Sequence, residues 1–179
     1  MKQHFISLVL FFSFLLSGCM PLKQTEVTSP NGHIRLAFAL DGNNRMTYQV
    51  SVGDTVFIAP SLLGFTAKDG VNLAEGFKVI NTDFTTYDET WTQPWGENKT
   101  IRNHYNEMAV HLSDTTNTQL TLRFRIFDDG LGFRYEYEVP GVDSILVTDE
   151  LTAFNIAQDG ISWSIPANYD TYELLYRTQ

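Results

Sequence analysis

The sequence predicts an all-β fold, an antiparallel sandwich or barrel. From Gly32 onward apolar residues alternate with polar ones, turn residues separate the short runs, and helical periodicity is almost absent. Many short alternating runs between turn signals are the pattern of antiparallel strands with one face buried.

The first run, His33 to Leu40, places Ile34, Leu36, Phe38 and Leu40 on one face. Asp41-Gly42-Asn43-Asn44 supplies a turn, and Met46, Tyr48, Val50 and Val52 form the returning face. Gly53-Asp54 turns again into a strand at 55–59. Further strands are expected at 62–67, 77–85, 108–112, 120–127, 131–139, 145–147, 153–156 and 161–165. Asp129-Gly130 is a favoured type I′ loop. With that pair at the tip, Ile126 meets Phe133, Phe124 meets Tyr135, Leu122 meets Tyr137 and Leu120 meets Val139. The opposite face then sets Arg123 across from Glu136 and Arg125 across from Arg134. A slip of one residue would carry the arginines among the aromatics, so the register is expected to be well specified.

Ahead of the strands, Lys2 precedes an apolar run of twelve residues from Phe5 to Leu16. A bilayer span needs about 20 residues, so the run suits the h-region of a signal peptide instead. Leu16-Ser17-Gly18-Cys19 resembles a bacterial lipobox, which implies a signal peptide at 1–18 and lipid on Cys19. Two or more acyl chains hold a protein stably at a membrane. The expected product is an exported, membrane-anchored lipoprotein with a linker at 19–29. Met20-Pro21-Leu22-Lys23 has no acidic run to direct surface export, which points to an outer-membrane position facing the periplasm.

Removal of the leader leaves 161 residues, with 11 basic residues against 21 acidic. That is enough chain for one domain with a real core. The acidic balance argues against a nucleic-acid partner, whose phosphates require a basic face. With Cys19 the sole cysteine, there is no intrachain disulfide, and stability rests on burial, to which the nine Phe left after the leader and 8 Tyr contribute.

One stretch breaks the strand rhythm. Tyr87 to Glu97 holds Trp91 and Trp95 with Asp88, Glu89, Gln93 and Glu97, and Arg102-Asn103-His104 follows closely. Flat aromatic faces beside amides and carboxylates suit a sugar, whose C–H faces stack on rings while its hydroxyls take hydrogen bonds. The same composition suits a long loop packed on a neighbouring domain, where Trp, Tyr and Arg are enriched. Composition alone ranks the packing reading first. Trp91, Trp95, Glu97, Arg102, Asn103 and His104 are therefore candidates for substrate or domain-interface contact.

The remaining candidates are weaker. His104 and His111 have no second histidine or cysteine at metal-ligand spacing. Asp128-Asp129 serves a turn, Asp149-Glu150 reads as a solvated strand end, and the Asp41 turn lacks the loop of an EF-hand. Neither a glycine-rich phosphate loop nor a Gly-x-Ser-x-Gly elbow is present. No residue is assigned a catalytic role. The segment from Trp163 to Glu173 leaves a strand through Pro166 into a loop dense in Tyr, Asp, Asn and Glu, a plausible edge of a polar site.

Taken together these motifs resemble the N-terminal domain of glycoside hydrolase family 97. The stretches that carry the resemblance are Ser29 to Gly32, Asp88 to Glu97, Ile101 to Glu107, Asp129 to Tyr135 and Pro166 to Glu173, in the family's order. The resemblance implies a two-sheet β-sandwich of the mutarotase-like supersandwich type, here incomplete at the C-terminus and occupying residues 30–179. It implies a parent enzyme that is a calcium-dependent, exo-acting α-glucosidase or α-galactosidase acting on α-linked oligosaccharides. The catalytic carboxylates of such an enzyme sit on a (β/α)₈ barrel that follows this domain. Glu173 matches the family glutamate that reaches the barrel's Ca2+ ion. Calcium takes about six to eight oxygens, so one glutamate makes no site alone. Glycoside cleavage needs two facing carboxylates, so the 179-residue chain is expected to be inactive without the barrel. The alternative is a stand-alone carbohydrate-binding lipoprotein without catalysis.

Overall fold

The computed structural model describes residues 25–167, 170 and 174–179. Cys19, the leader and Glu173 lie outside the described residues. The strands are β1 (Thr25–Thr28), β2 (Ile34–Leu40), β3 (Met46–Val52), β4 (Thr55–Leu62), β5 (Phe65–Ala67), β6 (Asn72–Leu73), β7 (Lys78–Thr92), β8 (Thr100–Ser113), β9 (Gln119–Ile126), β10 (Leu131–Glu138), β11 (Val147–Glu150), β12 (Trp163–Ser164) and β13 (Arg177–Thr178). One 3-10 turn, Lys68–Gly70, is the only helical element among the described residues.

Two four-stranded antiparallel sheets, β1-β2-β3-β4 and β10-β9-β8-β7, form the sandwich. Their inner faces are the apolar sets read from alternation. Leu36, Phe38, Met46, Tyr48 and Val50 of the first sheet bury with Met108, Val110, Leu112, Leu120, Leu122, Phe124 and Ile126 of the second. Rings bridge the layers, Phe38 to Phe124 at 6.2 Å and Tyr48 to Phe133 at 5.6 Å between centroids. Each such side chain contributes roughly 1.5–3 kcal/mol by leaving water. The all-β, antiparallel expectation is met.

Local chemistry explains the turns. Asn44 takes φ +57° and donates its N–H to the Asp41 carbonyl, while the Asp41 carboxylate accepts from the Asn43 and Arg45 amides. Asn tolerates this left-handed conformation and Asp caps such turns with its side chain. The strand expected at 62–67 is split in two. Gly64 sits at φ +119°, and a Cβ there would lie 2.7 Å from both Ala74 Cα and the Leu73 carbonyl oxygen. The chain bends at the residue with no side chain, ending β4 and starting β5. Residues 25–28, expected within the linker, form β1 against β2, because Val27 has a core to enter and is only 6% exposed.

The β9–β10 hairpin keeps its predicted faces but not its predicted register. Neither Asp129 nor Gly130 has the positive φ that a type I′ turn requires. Instead the Phe127 amide donates to the Gly130 carbonyl at 2.8 Å, closing the loop over Asp128-Asp129. Leu131 thus faces Ile126, Phe133 faces Phe124 and Tyr135 faces Leu122, a shift of two residues. An even shift leaves every side chain on its face. It moves Arg125 from opposite Arg134 to opposite Gly132, and brings Arg134 opposite Arg123. Glu136 bridges those two, 2.8 Å from Arg123 and 2.6 Å from Arg134, so the expected Arg123–Glu136 attraction survives on a diagonal.

The segment expected as a strand at 153–156 runs irregularly beside β4, with an isolated bridge between Ile58 and Ile156. Two phenols, the buried Tyr48 and the half-buried Tyr135, latch it down. Tyr48 donates to the Ala153 carbonyl at 2.9 Å, and Tyr135 accepts from the Gly64 amide while meeting the Thr152 hydroxyl at 2.6 Å. Burial holds the Tyr48 hydroxyl up at about 12 and shifts Tyr135 in the same direction. Both remain neutral donors.

Candidate functional site

The stretch expected as a loop is a β-hairpin. β7 pairs with β8 from Lys78 opposite Ser113 to Thr92 opposite Thr100. β9 supports β8 only along Asn106 to Ser113. The outer part, Tyr87–Thr92 with Thr100–Tyr105, therefore projects from the sandwich as a two-stranded arm. The signal for this was present in the sequence, since β-branched Thr85, Thr86, Thr90 and Thr92 with Tyr87 and Trp91 favour strand. Polar composition obscured it, because an arm with solvent on both faces has no reason to alternate.

Strand geometry distributes the six candidate residues rather than gathering them. Alternation and the observed register put Tyr87, Glu89, Trp91, Ile101, Asn103 and Tyr105 on one face. Asp88, Thr90, Arg102 and His104 occupy the other. Trp95 and Glu97 lie in the tip beyond both strands. Trp91 is 47% exposed and Trp95 is 84% exposed. Arg102 grips Asp88 in a two-pronged ion pair, Nε to Oδ1 at 2.8 Å and Nη2 to Oδ2 at 2.7 Å, and His104 stands opposite Asp88. That pair lowers the Asp88 pKa and raises that of Arg102. Asp88 is a partner that sequence reasoning missed.

The tip is shaped by backbone constraints. The Gln93 amide donates to the Lys99 carbonyl at 3.0 Å, and the Gln93 side chain donates to the Asn98 carbonyl at 2.7 Å. Gly96 turns at φ +117°, where a Cβ would lie 2.6 Å from Gln93 Nε2. Thr92, Gln93, Pro94, Trp95, Gly96 and Lys99 line a concavity of about 550 Å³.

The root of the arm is held by ring contacts and ion pairs. Tyr87 stacks on Tyr105 at 5.3 Å and 22°, Phe127 packs on Tyr105 at 5.2 Å, and the Arg125 guanidinium lies 4.6 Å over the Tyr105 ring. Arg125 also donates to Glu107 at 2.7 Å, and Arg123 donates to Glu107 at 2.5 Å and to Glu136. Hydrogen bonds from Arg123, with Arg134 adding to them against partial burial, hold the Glu136 carboxyl at about 2. Burial opposes ionisation of Glu107, but Arg125 and Arg123 outweigh it and its pKa is also lowered. Among the other histidines, His111 is fixed between Asp83 and Thr121, each at 2.9 Å.

Among the described residues, no group of three or more His, Cys, Asp or Glu side chains could hold a metal ion. The ligand set of a calcium site is not found in them, and Glu173 is not among them.

The described residues define a class by their fold: an all-β antiparallel sandwich from which a two-stranded aromatic arm projects. The chain matches the glycosyl-hydrolase 97 N-terminal family over residues 27–179, and it belongs to that family as its N-terminal domain. It is 31% identical to a family 97 enzyme from Pseudoalteromonas sp. strain K8 whose structure was solved with acarbose, with a TM-score of 0.81 over 87% of this chain and 24% of that one. A complex of the same family from that strain with panose gives a TM-score of 0.80 over 86% and 24%. A retaining α-galactosidase from Bacteroides thetaiotaomicron is 26% identical over 113 residues, which is 63% of this chain and 16% of that protein. The chain thus spans less than a quarter of the length of these relatives.

Proposed function

We propose that this domain serves a calcium-dependent, exo-acting α-glycosidase that hydrolyses α-linked gluco- or galacto-oligosaccharides. Its part is to orient a (β/α)₈ catalytic barrel through the β7–β8 arm and to lend that barrel one calcium ligand, Glu173. The observation that carries the docking role is the arm itself: a braced root, a polar shaft and a tip holding an indole that is 84% exposed. Indole is among the side chains that most often anchor interfaces. Relatives that act on an α-galactoside or bind panose and acarbose support α-linked substrates. Calcium, when bound, would organise carboxylates around the sugar, and no residue described here performs that chemistry. Lipid on Cys19 would hold the enzyme at the outer membrane, facing the periplasm.

The gene gives the first test. A reading frame that continues past Gln179 into a barrel with paired carboxylates supports the proposal. The second test is Trp95→Ala in the complete polypeptide. The expected result is loss of hydrolysis of a nitrophenyl α-glucoside or α-galactoside with the domain still folded. Unchanged turnover would remove the docking role. A frame that stops at Gln179 would leave the alternative, a sugar-binding lipoprotein, for which Trp91 beside Asn103 and Glu89 on one open face is the favouring feature.

A further inference from the structure

Beside the arm's root, on the solvent face of the second sheet, we propose a binding site for a carboxylate-bearing sugar. It is distinct from the neutral oligosaccharide chemistry proposed above and does not depend on it. Arg123, Arg125, Phe127, Gly132, Phe133 and Arg134 line a cleft of about 230 Å³, room for one small ring.

The charge arithmetic favours an anion. Three guanidiniums meet two carboxylates, Glu107 and Glu136, in a chain whose net charge is −9. Arg123 turns all three of its nitrogens to carboxylates: Nε and Nη2 go to Glu136 and Nη1 goes to Glu107. Arg125 gives its Nε to Glu107 and places its guanidinium over the Tyr105 ring, and among the described residues its two terminal amino groups meet no acceptor. Arg134 gives its Nε and Nη2 to Glu136 and is 62% exposed at its side chain. Fixed guanidinium forks with unspent donors match a carboxylate.

Gly132 supplies the second, independent observation. It sits in β10 directly opposite Arg125. Its φ is not in the left-handed region, and nothing lies within 4 Å of where a Cβ would be. Neither the backbone nor the packing calls for glycine here. A glycine inside a strand weakens it and often marks a place where a ligand approaches closely. Any side chain at 132 would fill the cleft between Arg125 and Arg134. Phe127 gives the cleft an apolar wall, which a bare inorganic anion would not use but a pyranose ring would.

The test is isothermal titration of the chain with methyl glucuronide, methyl glucoside and inorganic sulfate at fixed ionic strength. The glucuronide is expected to bind at least roughly tenfold more tightly than either control, the margin of one charge-assisted hydrogen-bonded contact. Arg134→Gln and Gly132→Val should each weaken the glucuronide roughly tenfold. Gly132→Val should do so with an unchanged or raised melting temperature, since it enters open space. Equal binding of the glucoside overturns the proposal. Sulfate as tight as the glucuronide overturns it too, leaving an adventitious anion site. Full glucuronide affinity in Gly132→Val is the third result that would sink it.

Discussion

Replacing Glu107 with glutamine tests whether the arginine–glutamate lattice stabilises the arm's root. Glu107 is 8% exposed, and its two oxygens accept from Arg123 at 2.5 Å and Arg125 at 2.7 Å. Removing one partner of a fully buried pair costs about 3–5 kcal/mol. Here the Arg125 side chain is 41% exposed and Arg123 keeps Glu136, so the loss should fall to about 1–3 kcal/mol. Urea unfolding at pH 7 measures it as a lower midpoint at constant slope. The sign of the pH dependence follows from the lowered folded-state values of Glu107 and Glu136. Their stabilisation is complete above the ordinary carboxyl value of 4.5, and it drains away as pH falls towards about 2, where Glu136 protonates. The parent chain should therefore lose stability from about pH 5 downward, and Glu107→Gln should lose it less steeply, lacking one titrating group. A variant within about 0.5 kcal/mol of the parent at pH 7, or one with the parent's full acid slope, would refute the account of the lattice.

Two further substitutions probe the sandwich by unfolding. Phe124→Ala removes a fully buried ring that meets Phe38 across the layers and Phe133 beside it in its own sheet, and should cost about 3–5 kcal/mol in a urea melt; a loss below about 1 kcal/mol would mean the sheets do not meet there. Gly64→Ala drives a Cβ to 2.7 Å from the backbone of Leu73 and Ala74 at φ +119°, so strain and overpacking together should cost about 3 kcal/mol or more, and a neutral melt would contradict the β4–β5 bend.

What was legible in the sequence was whatever the core dictates. Strands β2 and β3 alternate because Leu36, Phe38, Met46, Tyr48 and Val50 all enter one buried layer, and their turn is written in Asp41 and Asn44. The faces of β9 and β10 were legible for the same reason, while their register was not. Asp-Gly suggested one turn, but the lattice formed by Arg123, Arg125, Glu107 and Glu136 involves β8, a strand that no local pattern brings alongside. The arm was missed as structure and found as composition. Its strands pair with each other yet bury little, so hydrophobic alternation, the strongest strand signal, has nothing to report there. Trp91, Trp95 and Arg102 were recognised by type, but the division between two faces and a tip appears only once the register is fixed.

That division bears on how the arm could dock. An aromatic tip that anchors in a partner pocket buries about 150–250 Å² of indole, a gross gain of roughly 4–6 kcal/mol at about 25 cal/mol per Å². A floppy hairpin would surrender much of this to ordering its own residues, since immobilising each side chain at an interface costs about 0.5–1.5 kcal/mol. The stacked Tyr87 and Tyr105, the Arg125 guanidinium over the ring and the Glu107 ion pairs order the root before any partner arrives. The Asp88–Arg102 pair does the same for the shaft and leaves its charges matched, so that face can meet a polar surface without stranding an ion. Trp95 would then act at the end of a lever already set in direction, and most of its burial would appear as affinity. The root and the tip are therefore two halves of one device. Loosening the root by Tyr105 or Glu107 substitution should weaken docking even though neither residue reaches the partner.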